Sequence, residues 1–260
     1  MPDTPRDPVK RAVPAVSRAV AILRYLGRAE DPVGVNPMAR DLGLVPSTCL
    51  HILRVLTDEG LVQFDPQTKR YTIGVGILPI ARTAIQRNAF ISLVQPHLDS
   101  LSESSGATVL ATQLTEAGQM VVVAISQVPQ RFSLQVDLGS RFPLLISATG
   151  RCYAAFNDLD PDRLRADFAR LNWDNPPRYE AWLDQVAETR EQGFAVDRGA
   201  YMSGVTVVAV PVLNAARRMT RSLVAVGISE RMEAQGLDSL AARMLRARDE
   251  VAELSLADPA

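Results

Sequence analysis

The stretch LVPSTCLHILRVLTDEGLV, residues 44–62, constrains this chain more than any other. At about 100° per residue, Cys49, Ile52, Leu53 and Leu56 fall on one stripe of a helix. Ser47, His51, Arg54 and Asp58 fall together on the opposite side, by the same period. Thr48 and Val55 lie on one shoulder of the polar stripe and Leu50 on the other. Pro46 suits a first helical turn, where its missing N–H would be an orphan donor anyway. Gly60 suits the stop, since glycine adopts the left-handed geometry that follows a helix C-terminus. A solvated surface helix would carry the same pattern, so the flanking sequence has to decide what the polar stripe is for.

Upstream, Pro14 to Arg28 is helical in pattern, with Val16, Val20, Leu23 and Leu26 three or four residues apart. Asn36-Pro37 then opens a short helix, with Asn as N-cap and Pro at the first position, ending near Gly43. Downstream, VQFD, the turn-former DPQTKR and YTIG read as two short strands around a polar loop. Helix, helix, tight turn, helix, hairpin is the order of a winged helix-turn-helix. The second helix of such a turn lies in the DNA major groove with its N-terminal residues nearest the bases. Ser47 and Thr48 then offer hydroxyls to base edges, and His51 and Arg54 offer donors. Arg40 on the preceding helix is placed for a phosphate. Lys69 and Arg70 at the wing tip suit phosphate or minor-groove contact.

Charge supports this only by placement. The chain is near neutral, at net -1, and residues 1–75 carry ten Lys/Arg against eight Asp/Glu, so the protein is no polycation. Two cysteines, Cys49 and Cys152, and two histidines, His51 and His97, show no CxxC, HxxxH or HExxH spacing; no metal site is expected. No charged n-region leads into an apolar run, and stretches such as VTVVAVPVL are too short to span a bilayer. A cytoplasmic protein with no membrane association and no cofactor is expected.

Residues 1–13 are rich in proline and charge and read as a flexible arm, followed by a winged domain over 14–75. Residues 74–88, GVGILPIARTAIQRN, read as a connecting helix interrupted at Pro79, so the linker is set at 76–90. A helix over 89–105 exposes Leu93, Leu98 and Leu101 to a core. TVLATQL and MVVVAISQV read as strands about a turn at EAGQ, Ser147 to about Gln192 as mostly helix, and FAVD, VTVVAVPVL and SLVAVGISE as strands. A final helix runs from about Leu237 to Leu254. Strands, helices, strands and a helix make residues 91–260 an α+β domain on an antiparallel sheet.

Several segments, in order, resemble the IclR family of bacterial transcriptional regulators from about Val13 onward. SRAVAILRYL is similar to the family's opening helix, and NPMARDLGLVPSTCLHILRVLTDEGLV with RYTIG to its reader helix and wing. LGSRFPLLISATGR resembles its effector-domain loop and helix start, and EQGFAVDRGAYMSGVTVVAVPV its late strand region. The resemblance implies a GAF-like α/β effector domain that binds a small organic acid and biases the affinity for double-stranded operator DNA. It also implies self-association as a dimer or tetramer. Where the family often has Lys and Arg in the reader helix, this chain has Pro46 and His51. Arg pairs bidentately with guanine and His does not, so the operator sequence does not carry over.

Family members that take small polar acids use backbone amides at the start of the effector-domain helix, which match Ala148 and Thr149 here. A helix N-terminus with free N–H donors is a ready carboxylate site. The family's acidic position matches Asp197, and its other polar positions match Val207, Ala225 and Gly227. These last are either plain core or the lining of a wider, more apolar pocket for an aromatic or longer acid.

Catalysis has little to stand on. Cys152 beside Arg151 has the makings of a stabilised thiolate, yet His97 is the last histidine in the chain and lies far upstream, in QPHLDS, where it reads as a surface or interface residue. A nucleophile needs a base within hydrogen-bond reach, so no catalytic residue is assigned. The alternative to DNA reading is a winged-helix module used only for protein contact. For a regulator, a coupling of about 1–3 kcal/mol would change operator affinity roughly 5- to 150-fold, with the linker helix as the element that switches.

Overall fold

The computed structural model describes residues 13–86, 89–115, 118–129 and 136–257. Residues 1–12 of the arm expected over 1–13, and the Glu116-Ala117 part of the expected turn, lie outside these residues. Contacts divide the chain into two compact units, 1–87 and 88–260.

The first unit contains α1 (Pro14–Leu26), α2 (Val35–Asp41), α3 (Pro46–Asp58), β1 (Val62–Asp65), β2 (Arg70–Ile73) and α4 (Ile77–Gln86). Its core is Ile22 and Leu26 of α1, Met38 and Ala39 of α2, Cys49, Leu53 and Leu56 of α3, and Val62 and Tyr71 of the hairpin. The α2–α3 turn closes through Gly43 at φ +62 and a Leu44 N–H that donates to Ala39 O at 2.8 Å. Positive φ costs glycine nothing, so the chain reverses there without strain. The wing is stitched to the α1–α2 connection by two bonds, Val33 N to Tyr71 O at 3.0 Å and Tyr71 N to Val33 O at 2.8 Å.

Four details of this unit differ from the sequence expectation. On α1 the expected Leu26 is buried and Leu23 packs against the core, but Ile22 is buried with them while Val16 is 60% and Val20 36% exposed. α2 begins at Val35 after Gly34 with no side-chain cap, so Asn36 lies inside the helix. Pro79 is the third residue of α4, within the first turn, where no N–H is needed, and therefore interrupts nothing. The GVG before α4 is a packing device: a Cβ on Gly74 would lie 2.3 Å from Gly60 O, and one on Gly76 2.6 Å from it.

The second unit contains α5 (Ala89–Ser105), β3 (Thr108–Leu114), β4 (Gln119–Ile125), β5 (Arg141–Pro143), α6 (Ser147–Ala155), α7 (Pro161–Phe168), α8 (Tyr179–Gln192), β6 (Ala195–Arg198), β7 (Val205–Leu213), β8 (Met219–Ile228), α9 (Ser229–Gln235) and α10 (Leu237–Ala257). The strands form one sheet in the order β5-β4-β3-β8-β7-β6, with every neighbouring pair antiparallel. The short strand β5 and helix α9 were not anticipated.

Both faces of the sheet are covered. Val109, Ala111, Val208, Val210, Leu223 and Ala225 face α5 and α10. Leu110, Met120, Val122, Val207, Ala209 and Val224 face α6. A strand buried on both sides needs apolar residues at every position rather than alternate ones, which explains the unbroken run VTVVAVPVL of β7. Pro211 is tolerated within it because the β6 pairing ends at Ala209, so no partner on that side requires its missing N–H. Behind α6, a third cluster joins Leu145, Phe168, Trp182 and Val186.

Candidate nucleic-acid interface and ligand pocket

The reader helix is built by its own periodicity. Cys49 and Leu53 are fully buried and Leu56 nearly so, which fixes the rotation of α3 and leaves Ser47, His51 and Arg54 exposed, with Thr48 half-buried beside them. No side chain caps the start of α3, and Pro46 occupies its first position. The next backbone N–H groups are thus free to meet an acceptor such as a phosphate oxygen. Val45 (64% exposed) and Val55 (59%) flank the polar stripe. Apolar groups placed so are suited to thymine methyls, and the sequence pattern alone had not singled them out as contacts.

The four candidate cations are not equivalent. Arg40 Nε lies 3.0 Å from Asp41 Oδ1, and Asp41 Oδ2 accepts the Tyr25 hydroxyl at 2.7 Å. These two donors hold the Asp41 carboxyl below its ordinary range, and the same contact raises the Tyr25 phenol. Arg40 therefore carries a charge already matched. Arg70 donates from Nη1 to Pro32 O at 3.0 Å, which holds the wing to the rest of the unit. Lys69 and Arg54 are exposed with no such tether among the described residues. The wing turn is fixed by Asp65, whose carboxylate accepts Gln67 N at 2.9 Å and Thr68 Oγ1 at 2.6 Å, while Lys69 sits at φ +54.

In the second unit, the positions matched for an effector divide between two places. Ser147 opens α6 at φ +57, 5% exposed, with its Oγ lacking a partner. Ala148 is fully buried in the core cluster that also holds Val207, and Thr149 is half-buried. Gly150 is obligatory, because a Cβ there would lie 2.0 Å from the Leu145 carbonyl carbon. Arg151 and Asp197, both almost wholly buried, meet at 3.1 Å. Arg151 Nε also donates to Gln185 Oε1 at 2.7 Å, and its guanidinium lies 6.0 Å from the Trp173 ring centroid. Asp197 Oδ1 accepts Ala200 N at 2.8 Å and Tyr201 N at 3.3 Å. Asp197 is thereby engaged by the protein itself, and it organises Arg151 and the turn after β6.

Ala225 and Gly227 do not join this group. Ala225 belongs to the α5–α10 side of the sheet, and a Cβ on Gly227 would meet Met232 Sδ at 2.9 Å and Ala107 Cβ at 3.6 Å. Side chains alternate faces along a strand, so on β8 the residues directed to α6 are Val224 and Val226. Of the two readings left open for these positions, plain core describes Ala225, and Gly227 packs against Met232 and Ala107 rather than beside Val207.

The sequence matches the IclR helix-turn-helix domain over residues 15–66 and the bacterial transcriptional regulator IclR C-terminal domain over residues 82–253. The chain belongs to the IclR family. Among its relatives, the glycerol operon regulatory protein of Streptomyces coelicolor is 28% identical over 230 residues, 87% of this chain and 89% of that one. An IclR transcriptional regulator from Alicyclobacillus acidocaldarius has a similar structure, with a TM-score of 0.76 at 25% identity, covering 92% of this chain and 99% of that one. An IclR homologue from Microbacterium hydrocarbonoxydans, complexed with 4-hydroxybenzoate, shares the fold with a TM-score of 0.74 at 13% identity, covering 91% and 97% of the two chains.

This IclR-family protein is thus a DNA-binding transcriptional regulator and not an enzyme. Burial pushes the Cys152 thiol up to about 12 despite the neighbouring Arg151, and its Sγ donates to Ala209 O at 3.3 Å; a nucleophile needs the thiolate. His97 lies on α5, on the opposite side of the sheet, with Nδ1 3.5 Å from Glu250 of α10. Among the described residues no cluster of His, Cys, Asp and Glu could hold a metal ion, and no helix is long and apolar enough to cross a membrane.

Proposed function

We propose that this regulator reads a specific operator through α3 and the wing, and that a small organic acid bound beside the start of α6 tunes its affinity for that DNA. The observation that carries the DNA half is the two-sided α3: Cys49, Leu53 and Leu56 anchor it while Ser47, His51 and Arg54 stand exposed. Ser47, Thr48, His51 and Arg54 are assigned to the bases, Lys69 to the backbone, and Arg40 and Arg70 to secondary phosphate contacts limited by their intramolecular partners. DNA reading is assigned to residues 14–75, linkage to 76–90 and effector binding to 91–260.

The acid is placed at the Ser147 hydroxyl and the amides of Ala148 and Thr149, where a helix start offers donors and a favourable dipole to a carboxylate. Support comes from the unpartnered, buried Ser147 Oγ and from the lack of any side-chain cap on α6. Val207, Leu110, Met120 and Val122 make the surroundings apolar, which favours an aromatic acid over one of pyruvate size. The 4-hydroxybenzoate held by the Microbacterium homologue of the same fold is in keeping with this. Self-association, as a dimer or tetramer, is supported by apolar surface left open on the first unit: Val13 and Val16 of the α1 region and Val75, Leu78 and Ile80 at α4 are each more than half exposed. A symmetric pair would read two half-sites about one helical turn apart, or a multiple of it.

Selection of bound duplexes from a random pool at about 150 mM salt, where non-specific attraction is weakened, tests the DNA half. An enriched palindrome is expected. Retention that is only salt-sensitive, with no enriched sequence, would mean that the exposed stripe of α3 serves protein contact instead. Titrating 4-hydroxybenzoate and pyruvate against the selected duplex then tests the acid, with the aromatic compound expected to act at lower concentration.

A further inference from the structure

A cavity of about 530 Å³ opens on the second unit where the β5–α6 connection, α6 and α7 meet. Its volume lies within the usual range of small-molecule sites, about 300–1,000 Å³. None of the positions matched for the effector lines it. Its apolar wall is made by Leu144, Leu159, Leu164 and Leu171. Set among these leucines is Tyr153 of α6, half-buried, whose hydroxyl has no hydrogen-bond partner among the described residues.

The charges around the mouth are unevenly committed. Asp160 is consumed as the N-cap of α7, accepting Arg163 N at 2.8 Å. Asp167 is shared by two guanidiniums, Arg163 Nε at 3.6 Å and Arg170 Nη1 at 3.5 Å, contacts too long to be good hydrogen bonds. Asp158 is exposed on the rim. The charged groups that act on the Tyr153 phenol are the guanidiniums of Arg163 and of Arg218 in the β7–β8 turn; both pull against the upward push of burial. An apolar wall, an unused hydroxyl and loosely held guanidiniums beside it are complementary to a molecule with a hydrocarbon body and one acidic end.

We propose that this cavity is a second ligand site, distinct from the start of α6, for an amphipathic carboxylic acid whose chain lies on the leucines and whose carboxylate takes the Tyr153 hydroxyl and the Arg163 guanidinium. The assignment does not rest on the effector reading above. It can be true if that reading fails, and false if that reading holds.

Isothermal titration calorimetry of the full chain with octanoate, and with octylammonium as a probe of equal length and opposite charge, tests it. Saturable binding of octanoate at one site per chain is expected, with octylammonium much weaker. Arg163→Gln, at a side chain 84% exposed, should leave the fold intact and weaken octanoate about 2- to 5-fold, the scale of one solvent-exposed ion pair. Tyr153→Phe should weaken it about 3- to 10-fold by loss of a neutral one. Leu164→Trp should fill the cavity and abolish binding; should that variant fail to fold, the other two decide. No saturable heat with octanoate, equal binding of octylammonium, or octanoate binding unchanged by Arg163→Gln and Tyr153→Phe would each overturn the proposal.

Discussion

Arg151 and Asp197 are 46 residues apart in the chain and 3.1 Å apart in the fold. Their side chains are 3% and 1% exposed, so neither charge has water to fall back on. Removing one partner leaves the other charged and dry, which typically costs about 3–5 kcal/mol. Asp197→Ala should cost that much in urea unfolding, and more than Asp197→Asn, whose amide oxygen still accepts Ala200 N and Tyr201 N. Replacing both members, as in Arg151→Met with Asp197→Leu, should cost less than Asp197→Ala alone. A double variant as unstable as the sum of the singles would show that the two charges do not depend on each other.

At the DNA, the cations should rank by how little the protein already uses them. Arg54→Ala should weaken binding to the selected operator by about 1–3 kcal/mol and relax preference at the base it faces. Lys69→Ala should weaken specific and non-specific duplexes alike and reduce the salt slope by about one. Arg40→Ala should do less than either, since Asp41 already matches that charge. Fluorescence anisotropy across a salt series checks the order, and an Arg40 effect larger than that of Arg54 would contradict it.

The wing turn should respond to acid in one direction. The Thr68 hydroxyl and Gln67 N–H hold the Asp65 carboxyl below its ordinary value, which is about 3.9 for an unperturbed Asp. A depressed carboxyl stabilises the folded form above the unfolded-state value and loses that contribution as pH falls through the lower, folded one. The Gln67 amide resonance should therefore follow a single titration below about pH 3.9, with the wing loosening on the acid side. In Asp65→Asn that titration should vanish.

Both thiols should be silent in the native state. Cys49 and Cys152 are buried, and burial raises both, Cys152 to about 12. At pH 8 a disulfide reagent should find no fast-reacting thiol in the folded protein and two after denaturation. Rapid modification of Cys152 in the native protein would mean that α6 opens from the sheet far more readily than its packing implies.

Much of the first unit is legible from residue order because its signals are local: Pro46, Gly60 and the spacing of Cys49, Leu53 and Leu56 together define α3. Local signals fail where two answers share one pattern. On α1, Val16 and Val20 are spaced from Leu23 and Leu26 as well as Ile22 is, and only packing against α3 decides which of them is buried. On β8, a displacement of one residue carries a side chain through the sheet, so residue type alone leaves Ala225 and Gly227 open between plain core and the Val207 face, which Val224 and Val226 hold. β5 is three residues long and carries no periodicity to read. The Arg151–Asp197 pair had no signature at all. Arg151 drew notice only for its neighbour Cys152, because contacts across 46 residues are set by how α6 lies on β6.

Gly150 has a mechanical meaning beyond its fit. With Leu145 where a methyl group would otherwise stand, the second turn of α6 rests directly on the backbone that leads into it, and the segment from Leu145 to Gly150 forms a solid corner. Any side chain at position 150 would have to push that backbone away, so the corner holds the start of the helix in place. The far end of the helix is held as well, with Ala154 and Ala155 packed against Trp182 and Val186 and the Ala155 carbonyl accepting Arg190 Nε at 2.8 Å, so α6 is fixed at both ends.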